Sequence, residues 1–435
     1  MSSKKTSSLR PSSSKKSFFS RFSFFNKSKT RKPSQKKSML GNPILHALGP
    51  CKCANKAAIA IGDLAIQLYG QIAKPEENSV FSPVSIALAL SLVEAGASGQ
   101  TRDEIQVLLN PAGPTKSDST HAYQALQGQL QIRSKNSNLY IANGLFYSDD
   151  LVLRKEYEQK MRKLEDALIE RQSFGKNPDG ARRHINAWIS KKTAGKLTDI
   201  LEKDSISIET SAVIANAVHV KATWKNTFGD STPMPFYCFG KTEMAQNVPF
   251  MAHTRDYGYV ARDKFEVVEL PYENVPLRML VILPRQRDEI RAVENSLTGE
   301  TLIRLIGSTE SREVALKLPE FALNQSVDLK KALENLNAQQ MFMKGVADFS
   351  RMADFLQSGI AGLYVSKAMH TAYTLVDEKG TEAAAVTIFE CNPAYCAMIK
   401  PPPIPFVADH PFIYAIVHKP TSAIVFMGKV NFIKP

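Results

Sequence analysis

The stretch that most constrains the fold covers residues 378–390, E-K-G-T-E-A-A-A-V-T-I-F-E. Alternate positions are small or apolar, while the opposite phase carries Glu382 and Glu390 at its ends with Ala384, Val386 and Ile388 between them. This period of two is typical of a strand with one core face and one wetter face. The small or apolar positions are Thr381, Ala383, Ala385, Thr387, Phe389 and Cys391.

The residues that follow this stretch are typical of a loop. Asn392 and Pro393 follow it, and four of the five residues 401–405 are proline, which disfavours a tight hairpin return. We therefore expect an exposed loop with strand patterning, a candidate for insertion into a sheet as a new central strand. The alternative is an Ala-rich helix followed by a disordered tail, since Ala and Glu favour helix.

Other segments indicate one large domain of mixed secondary structure. Apolar residues recur at helical spacing in 57–71 and 157–169, and strand-like runs occupy 266–270 and 278–283. A chain of 435 residues, 43% of them hydrophobic, can bury a large core. Because no low-complexity linker follows residue 54, we expect a single domain over 54–435.

Short motifs occur along the whole of that domain. They are N-S-V-F-S-P-V-S-I at 78–86, T-A-G-K-L at 193–197, I-A-N-A-V-H-V-K-A-T-W at 214–224, L-K-L-P-E-F at 316–321, A-D-F-S at 347–350, V-S-K-A-M-H at 365–370, A-D-H-P-F at 408–412 and F-M-G-K-V at 426–430. With D-E-K-G-T-E-A-A-A-V-T at 377–387, they make residues 54–435 resemble the serpin family, in serpin order. The resemblance implies an α+β fold with a large, mostly antiparallel central sheet, two further sheets, about nine helices and an exposed reactive-centre loop at about 378–405.

The resemblance also implies roles for individual residues. A serine protease would attack the loop, and insertion of the loop into the main sheet would trap the acyl-enzyme. Trp224 would lie at the top of the sheet where insertion starts, and an ion pair of Glu378 would steady that point. The hinge residues are Glu378, Gly380, Thr381, Glu382, Ala383, Ala384 and Ala385, and the shutter and breach residues are Ser82, Ser85, Asn216, Trp224 and His370.

The reactive bond is placed by counting along the loop. Family habit puts it about fourteen residues beyond the hinge glycine, and 380 plus 14 gives Ala394, followed by Tyr395. Counting back from Phe412 gives 398–400 instead, but a protease would cleave poorly after Lys400 because proline follows it. We prefer the hinge count because inserted length governs trapping. Ala394 suits an elastase-like enzyme and Tyr395 a chymotrypsin-like one.

Motifs of catalysis are missing from the sequence. There is no G-x-S-x-G, H-E-x-x-H or G-x-x-x-x-G-K, so nothing marks a hydrolase, a zincin or a nucleotide site. Cys51 and Cys53 form a C-x-C without nearby histidines, a weak metal site. We expect no enzyme activity, no cofactor and no metal. The alternatives to serine protease inhibition are a non-inhibitory serpin that acts as a binding protein or chaperone, and an inhibitor of a cysteine protease.

The excess positive charge lies in residues 1–53. They hold 13 Lys and Arg and no Asp or Glu, and subtracting 13 from 55 leaves 42 basic residues against 42 acidic ones. We expect this extension to be disordered alone. In 15–32, five phenylalanines are interleaved with basic residues, a pattern compatible with acidic lipid or calmodulin as a partner, and the basic residues of 27–37 are compatible with nuclear import or nucleic-acid binding, so 15–37 is a candidate contact segment. A transit peptide and a solvated tail without a partner are the alternatives.

The location of the protein follows from its apolar runs and cysteines. No uninterrupted apolar run fits a signal peptide or a transmembrane helix. Five cysteines, an odd number, favour free thiols in a reducing compartment. We expect an intracellular monomer, in the cytoplasm, the nucleus or at a membrane surface, although family habit also allows an extracellular protein. Cys391 and Cys396 are either unrelated thiols or a disulfide that would hinder loop insertion.

Overall fold

A computed structural model of the chain describes residues 52–110, 119–134, 136–162, 167–359, 362–381 and 401–434, with backbone only for 52–55. Ten α-helices and fifteen β-strands lie in these residues. The helices are α1 (Lys52–Ile72), α2 (Pro83–Gly96), α3 (Gly99–Leu109), α4 (Thr120–Gln129), α5 (Lys155–Met161), α6 (Pro178–Lys192), α7 (Ile290–Glu294), α8 (Gly299–Ser308), α9 (Leu329–Asn335) and α10 (Phe355–Ser358).

The strands form two hydrogen-bonded sheets. Their bounds are β1 (Ser79–Phe81), β2 (Asn138–Ser148), β3 (Ala167–Gln172), β4 (Ala212–Thr223), β5 (Thr232–Tyr237), β6 (Ala245–Ala261), β7 (Phe265–Pro271), β8 (Leu277–Pro284), β9 (Glu310–Pro319), β10 (Phe321–Asp328), β11 (Val365–Asp377), β12 (Gly380–Thr381), β13 (Ile404–Val407), β14 (Phe412–His418) and β15 (Ala423–Val430). The expected mixed architecture of helices around a large central sheet is confirmed.

The six-stranded sheet has the order β10-β11-β12-β4-β2-β3. Strands β4 and β11 also pair directly and in parallel, from Val365 opposite Ala212 to Tyr373 opposite His219. Beyond that point they part, and β12 lies between them. We call this end of the sheet the top, and the line along which β4 and β11 meet the seam.

The nine-stranded sheet contains what the resemblance describes as two further sheets. Its path is β1-β15-β14-β8-β7-β6-β9-β13, with β5 paired to β6. The 17-residue strand β6 pairs with β7 over its last residues and with β5 and β9 before them. The two smaller sheets are therefore continuous through one long strand.

Apolar side chains cover both faces of the six-stranded sheet. On β4, Ile214 and Val218 belong to the main core, whereas Val213, Ala215 and Ala217 belong to a second cluster with α6. Alternation of this kind is what a strand buried on both faces requires. We call the α6 side of the sheet the outer face and the main-core side the inner face.

One predicted element is wrong in part. Helical spacing over 157–169 predicted a helix, but α5 ends at Met161 and Ala167 already begins β3, which pairs in parallel with β2. Pairing with a neighbouring strand outweighs local helical periodicity there. Among the described residues, no helix is both long enough and apolar enough to span a bilayer.

Candidate functional site

The hinge residues Gly380 and Thr381 are already strand residues. Gly380 lies opposite Thr223 on β4 and Asp377 on β11, and Thr381 lies opposite Ala222 on β4. Both hinge residues are buried. The expectation that the loop is exposed from its start is therefore wrong for these two residues. They enter the sheet because β4 and β11 have already parted at the top.

The backbone at Gly380 leaves no room for a side chain. Its φ is 153°, and a Cβ placed there would overlap the carbonyl oxygen of Ala222 and crowd the backbone of Thr223. Glycine is the residue that permits so close an approach of two backbones. A glycine at this position lets the chain turn from β11 into the gap beside β4.

Thr381 is anchored by a buried hydroxyl pair. Its side chain is fully buried on the inner face, and its Oγ1 lies 2.7 Å from the phenolic oxygen of Tyr272. The ring of Tyr272 stacks on Trp224 with centroids 4.5 Å apart and planes at 14°. Burial raises the pKa of Tyr272 well above its ordinary value, so the phenol keeps its proton for this contact.

Trp224 lies at the top of the sheet, beside the turn that connects β11 to β12. It is buried, its Nε1–H donates to the carbonyl of Asp377 at 2.9 Å, and its backbone N–H donates to the carbonyl of Lys379 at 2.9 Å. The carboxylate of Asp377 in turn accepts from the backbone N–H groups of Lys379 and Gly380, each at 2.9 Å. These contacts fix the turn that connects β11 to β12.

Glu378 makes a weaker contact than the family resemblance implies. Its one ion pair in the described part of the chain is with the adjacent Lys379, at 3.5 Å. Both side chains are about one third exposed, and exposed pairs of this kind stabilise little. The backbone of Glu378 is firmly held, since its carbonyl accepts from the N–H of Phe228 at 2.9 Å.

The four predicted shutter residues form one buried cluster beneath the seam. Asn216 donates through Nδ2 to the hydroxyl of Ser85 at 2.6 Å, to the Ser85 carbonyl at 3.0 Å and to Oδ1 of Asn143. His370 bonds through Nδ1 to Oδ1 of Asn216, and its Nε2 accepts the backbone N–H of Ser82 at 3.0 Å. All five residues are buried. The cluster joins β2, β4, β11 and the start of α2.

These partners define the protonation state of His370. An amide oxygen can only accept and a backbone N–H can only donate, so the ring carries its proton on Nδ1 and a lone pair on Nε2. Burial lowers the pKa of His370 to about 3. The shutter is therefore built around a neutral imidazole.

Asn143 and Tyr272 are site residues that sequence reasoning missed. Each lies far along the chain from its partner, 73 residues from Asn216 and 109 residues from Thr381 respectively. Neither belongs to a motif quoted above, although Tyr272 lies two residues after the strand-like run that ends at Leu270.

The remaining site predictions lie outside the described residues. They are Glu382, Ala383, Ala384 and Ala385 of the hinge, the Ala394–Tyr395 bond, Cys391 and Cys396, Lys400 and the extension that carries 15–37. In the part of the chain that the structure does describe, no group of three or more His, Cys, Asp or Glu side chains could hold a metal ion.

Removing the Tyr272 hydroxyl is expected to loosen the hinge. Tyr272→Phe keeps the stacked ring but leaves Thr381 Oγ1 without its partner, a loss of about 1 kcal/mol that shifts the hinge toward the solvent roughly fivefold. Hydrogen exchange of the Gly380 and Thr381 amides measures this shift. The control is Tyr157→Phe, which removes another buried hydroxyl contact, to the carbonyl of Leu92. Equal exchange in Tyr272→Phe and wild type would contradict an anchoring role.

Comparison with known proteins identifies the family. The family model for "Serpin (serine protease inhibitor)" matches residues 60–433. Human Serpin B9 is 32% identical over 379 residues, covering 86% of this chain and 98% of its own. Leukocyte elastase inhibitor A of Mus musculus is 30% identical over 376 residues, covering 84% and 96%. The native crystal structure of the thermophilic serpin tengpin superposes with a TM-score of 0.77 at 26% identity, over 86% of this chain and 94% of that one.

The family model, the relatives and the parted top of the six-stranded sheet all indicate the same family. The chain belongs to the serpin (serine protease inhibitor) family.

Proposed function

We propose that this protein inhibits serine proteases by inserting its cleaved loop into the six-stranded sheet. The observation that carries the proposal is β12, because Gly380 and Thr381 already occupy the place of a new strand between β4 and β11. The residues that follow Thr381 have the alternation of a strand with one small, apolar face. Insertion would extend a pairing that exists before any protease arrives.

The register of β12 assigns a place to every residue that would follow it. Thr381 lies opposite Ala222 and Val376, so in the same register Thr387 falls opposite Asn216 on one side and His370 on the other. Those two residues now face each other directly across the seam. The hydroxyl of Thr387 would therefore enter the sheet at the shutter. There it would replace the contact between His370 and Asn216 that insertion breaks.

The same register sorts the loop side chains onto two faces. Since Thr381 points to the inner face, odd-numbered residues follow it inward and even-numbered residues face outward toward α6. Glu382 then falls beside Lys221, and Glu390 falls beside Lys367, where each glutamate has a basic neighbour on the same face. Both glutamates thus avoid the inner face, where an unpaired charge would be costly.

Insertion releases enough free energy to hold a protease. A strand of about ten residues gains on the order of ten hydrogen bonds at roughly 1 kcal/mol each, about 10 kcal/mol before side-chain burial. The uncut protein does not reach this state because its loop is tethered at both ends. The native fold is therefore a kinetic trap, released by cleavage.

The target protease supplies the bond-breaking chemistry. Its serine oxygen attacks the carbonyl carbon of Ala394, the Ala394–Tyr395 amide bond breaks, and the new Tyr395 amine leaves with a proton. An ester joins the protease to Ala394. The serpin contributes no catalytic group, but its insertion would carry the ester and the protease away from the top before water cleaves it.

The class of target is inferred from the reactive bond. Ala394 favours an elastase-like enzyme and Tyr395 a chymotrypsin-like one, and one relative carries the name leukocyte elastase inhibitor A. A cysteine protease and a non-inhibitory binding or chaperone role are the alternatives. We further propose an intracellular location and contact of 15–37 with acidic lipid, calmodulin or nucleic acid, on the sequence grounds given above.

Incubation with elastase-like, chymotrypsin-like and trypsin-like proteases tests the proposal. We expect an adduct that survives denaturing electrophoresis, and a released C-terminal peptide whose mass shows that its first residue is Tyr395. Protein cleaved in the loop without an adduct should melt about 10 °C or more above the native form. Cleavage that gives neither an adduct nor added thermal stability would favour the non-inhibitory alternative.

A further inference from the structure

Three aromatic rings lie side by side across the outer face of the six-stranded sheet. Tyr140 on β2 stacks on His219 of β4 with centroids 5.7 Å apart and planes at 9°. On its other side, His219 contacts Tyr373 of β11 with centroids 6.2 Å apart and planes at 44°. The first contact joins neighbouring strands that stay together, whereas the second crosses the seam.

The seam contact lies at the uppermost closed position. The direct pairing of β4 with β11 ends at Tyr373 opposite His219, and above it the strands are separated by β12. If the register of β12 is continued, positions 382 and 383 of an inserting loop would come opposite residues of β4 and β11 that no longer pair with each other. Position 384 is the first that must separate a closed pair.

Tyr373 is also held from outside the sheet. The Nζ of Lys196 lies 5.5 Å from the centroid of its ring, within the range of a cation–π contact. Lys196 belongs to the T-A-G-K-L segment that follows α6, where Ala194 and Gly195 have positive φ values of 51° and 78°. That turn brings the lysine back over the sheet.

We propose that His219 and Tyr373 form a latch whose opening sets the rate of loop insertion, an inference that rests on the proposed function. Neighbouring strands are about 4.8 Å apart, so a strand entering between β4 and β11 moves them to roughly 9.6 Å. Rings with centroids at 6.2 Å cannot remain in contact across that gap. Each insertion event must therefore break this contact, while the Tyr140–His219 stack remains.

The latch opposes insertion both before and after cleavage. In the native protein it slows spontaneous entry of the uncut loop and so prolongs the life of the inhibitor. After cleavage it delays the strand while the acyl-enzyme is exposed to water. One pair of side chains thereby balances the lifetime of the native form against the yield of trapped protease.

The test compares variants on the two sides of His219. Tyr373→Val removes the seam contact and keeps a residue that favours strands, whereas Tyr140→Val removes only the stack that insertion leaves intact. Tyr373→Phe keeps the ring. The rate of conversion of uncut protein to the inserted form is followed on urea-gradient gels, and the number of adducts per cleavage is measured with the target protease.

We expect Tyr373→Val to convert about threefold to tenfold faster than wild type and to trap more protease per cleavage. Tyr373→Phe and Tyr140→Val should stay near wild type. Tyr373→Leu serves if the valine variant does not fold, and melting of the loop-cleaved form checks the fold of each variant. Conversion of Tyr373→Val at the wild-type rate, or equal acceleration by Tyr140→Val, would overturn the latch. Wild-type protein that gains no stability on cleavage would overturn the proposed function itself.

Discussion

Thr381→Arg is expected to turn the inhibitor into a substrate that is cleaved without forming an adduct. The side chain of Thr381 is fully buried on the inner face, where its hydroxyl contacts that of Tyr272. A guanidinium at that position would have to be buried in a site built for a small hydroxyl, at a cost of several kcal/mol. A penalty of about 3 kcal/mol slows entry roughly a hundredfold, so hydrolysis of the acyl-enzyme would win.

The measurement is the ratio of adduct to cleaved protein on denaturing gels with the protease that wild type traps. Thr381→Ser is the matched control, because it keeps the hydroxyl that contacts Tyr272 and should keep most of the adduct. An undiminished adduct in Thr381→Arg would show that trapping does not require entry of the strand through the gap between β4 and β11.

Acid is expected to weaken the native protein through the shutter histidine. The pKa of His370 is about 3 in the fold against 6.5 ordinarily. As the pH falls, the unfolded chain therefore takes up a proton first, and stability present above pH 6.5 is lost between 6.5 and 3. From pH 7 to pH 5 the loss from His370 is about 2 kcal/mol.

His418 adds a similar loss, since burial lowers its pKa to about 4, and burial lowers the pKa of His253 as well. The urea midpoint of unfolding at pH 7 and at pH 5 measures the combined loss of all titrating groups. His370→Gln removes one titrating group, so the loss of unfolding free energy between the two pH values should shrink by about 2 kcal/mol, although the variant is less stable throughout. An unchanged difference would show that His370 is not neutral in the fold.

The residues that the continuous motifs singled out lie at two places in the structure. Gly380, Thr381 and Trp224 lie at the top of the sheet, and Ser82, Ser85, Asn216 and His370 meet in one cluster. Small residues at a hinge and polar residues in otherwise apolar strands are visible along the chain. Their meeting in space came only from the family resemblance.

The features that were not predicted depend on pairing between distant segments. Tyr272 gains its role from Thr381, 109 residues away, and Asn143 from its position opposite Asn216 on β4. The burial of Gly380 and Thr381 depends on how far β4 and β11 have parted. The strand at 167–172 replaced a predicted helix because β2 offers an edge to pair with. None of these is encoded in local periodicity.

Because Gly380 and Thr381 already lie in the sheet, insertion of the loop differs from ordinary addition of a strand to a sheet. Adding a strand to a sheet normally requires a costly nucleus and a choice among registers, and a slip of one residue sends every side chain to the wrong face. Here two residues are paired on both sides before the loop is cut. The nucleus of the new strand is therefore already formed and its register is set, so insertion consists only of elongating that strand. Under the proposed mechanism, a protease is trapped when its acyl-enzyme ester outlasts the insertion of one strand. The lifetime of the acyl-enzyme then becomes a second criterion of selection, beside recognition of the reactive bond.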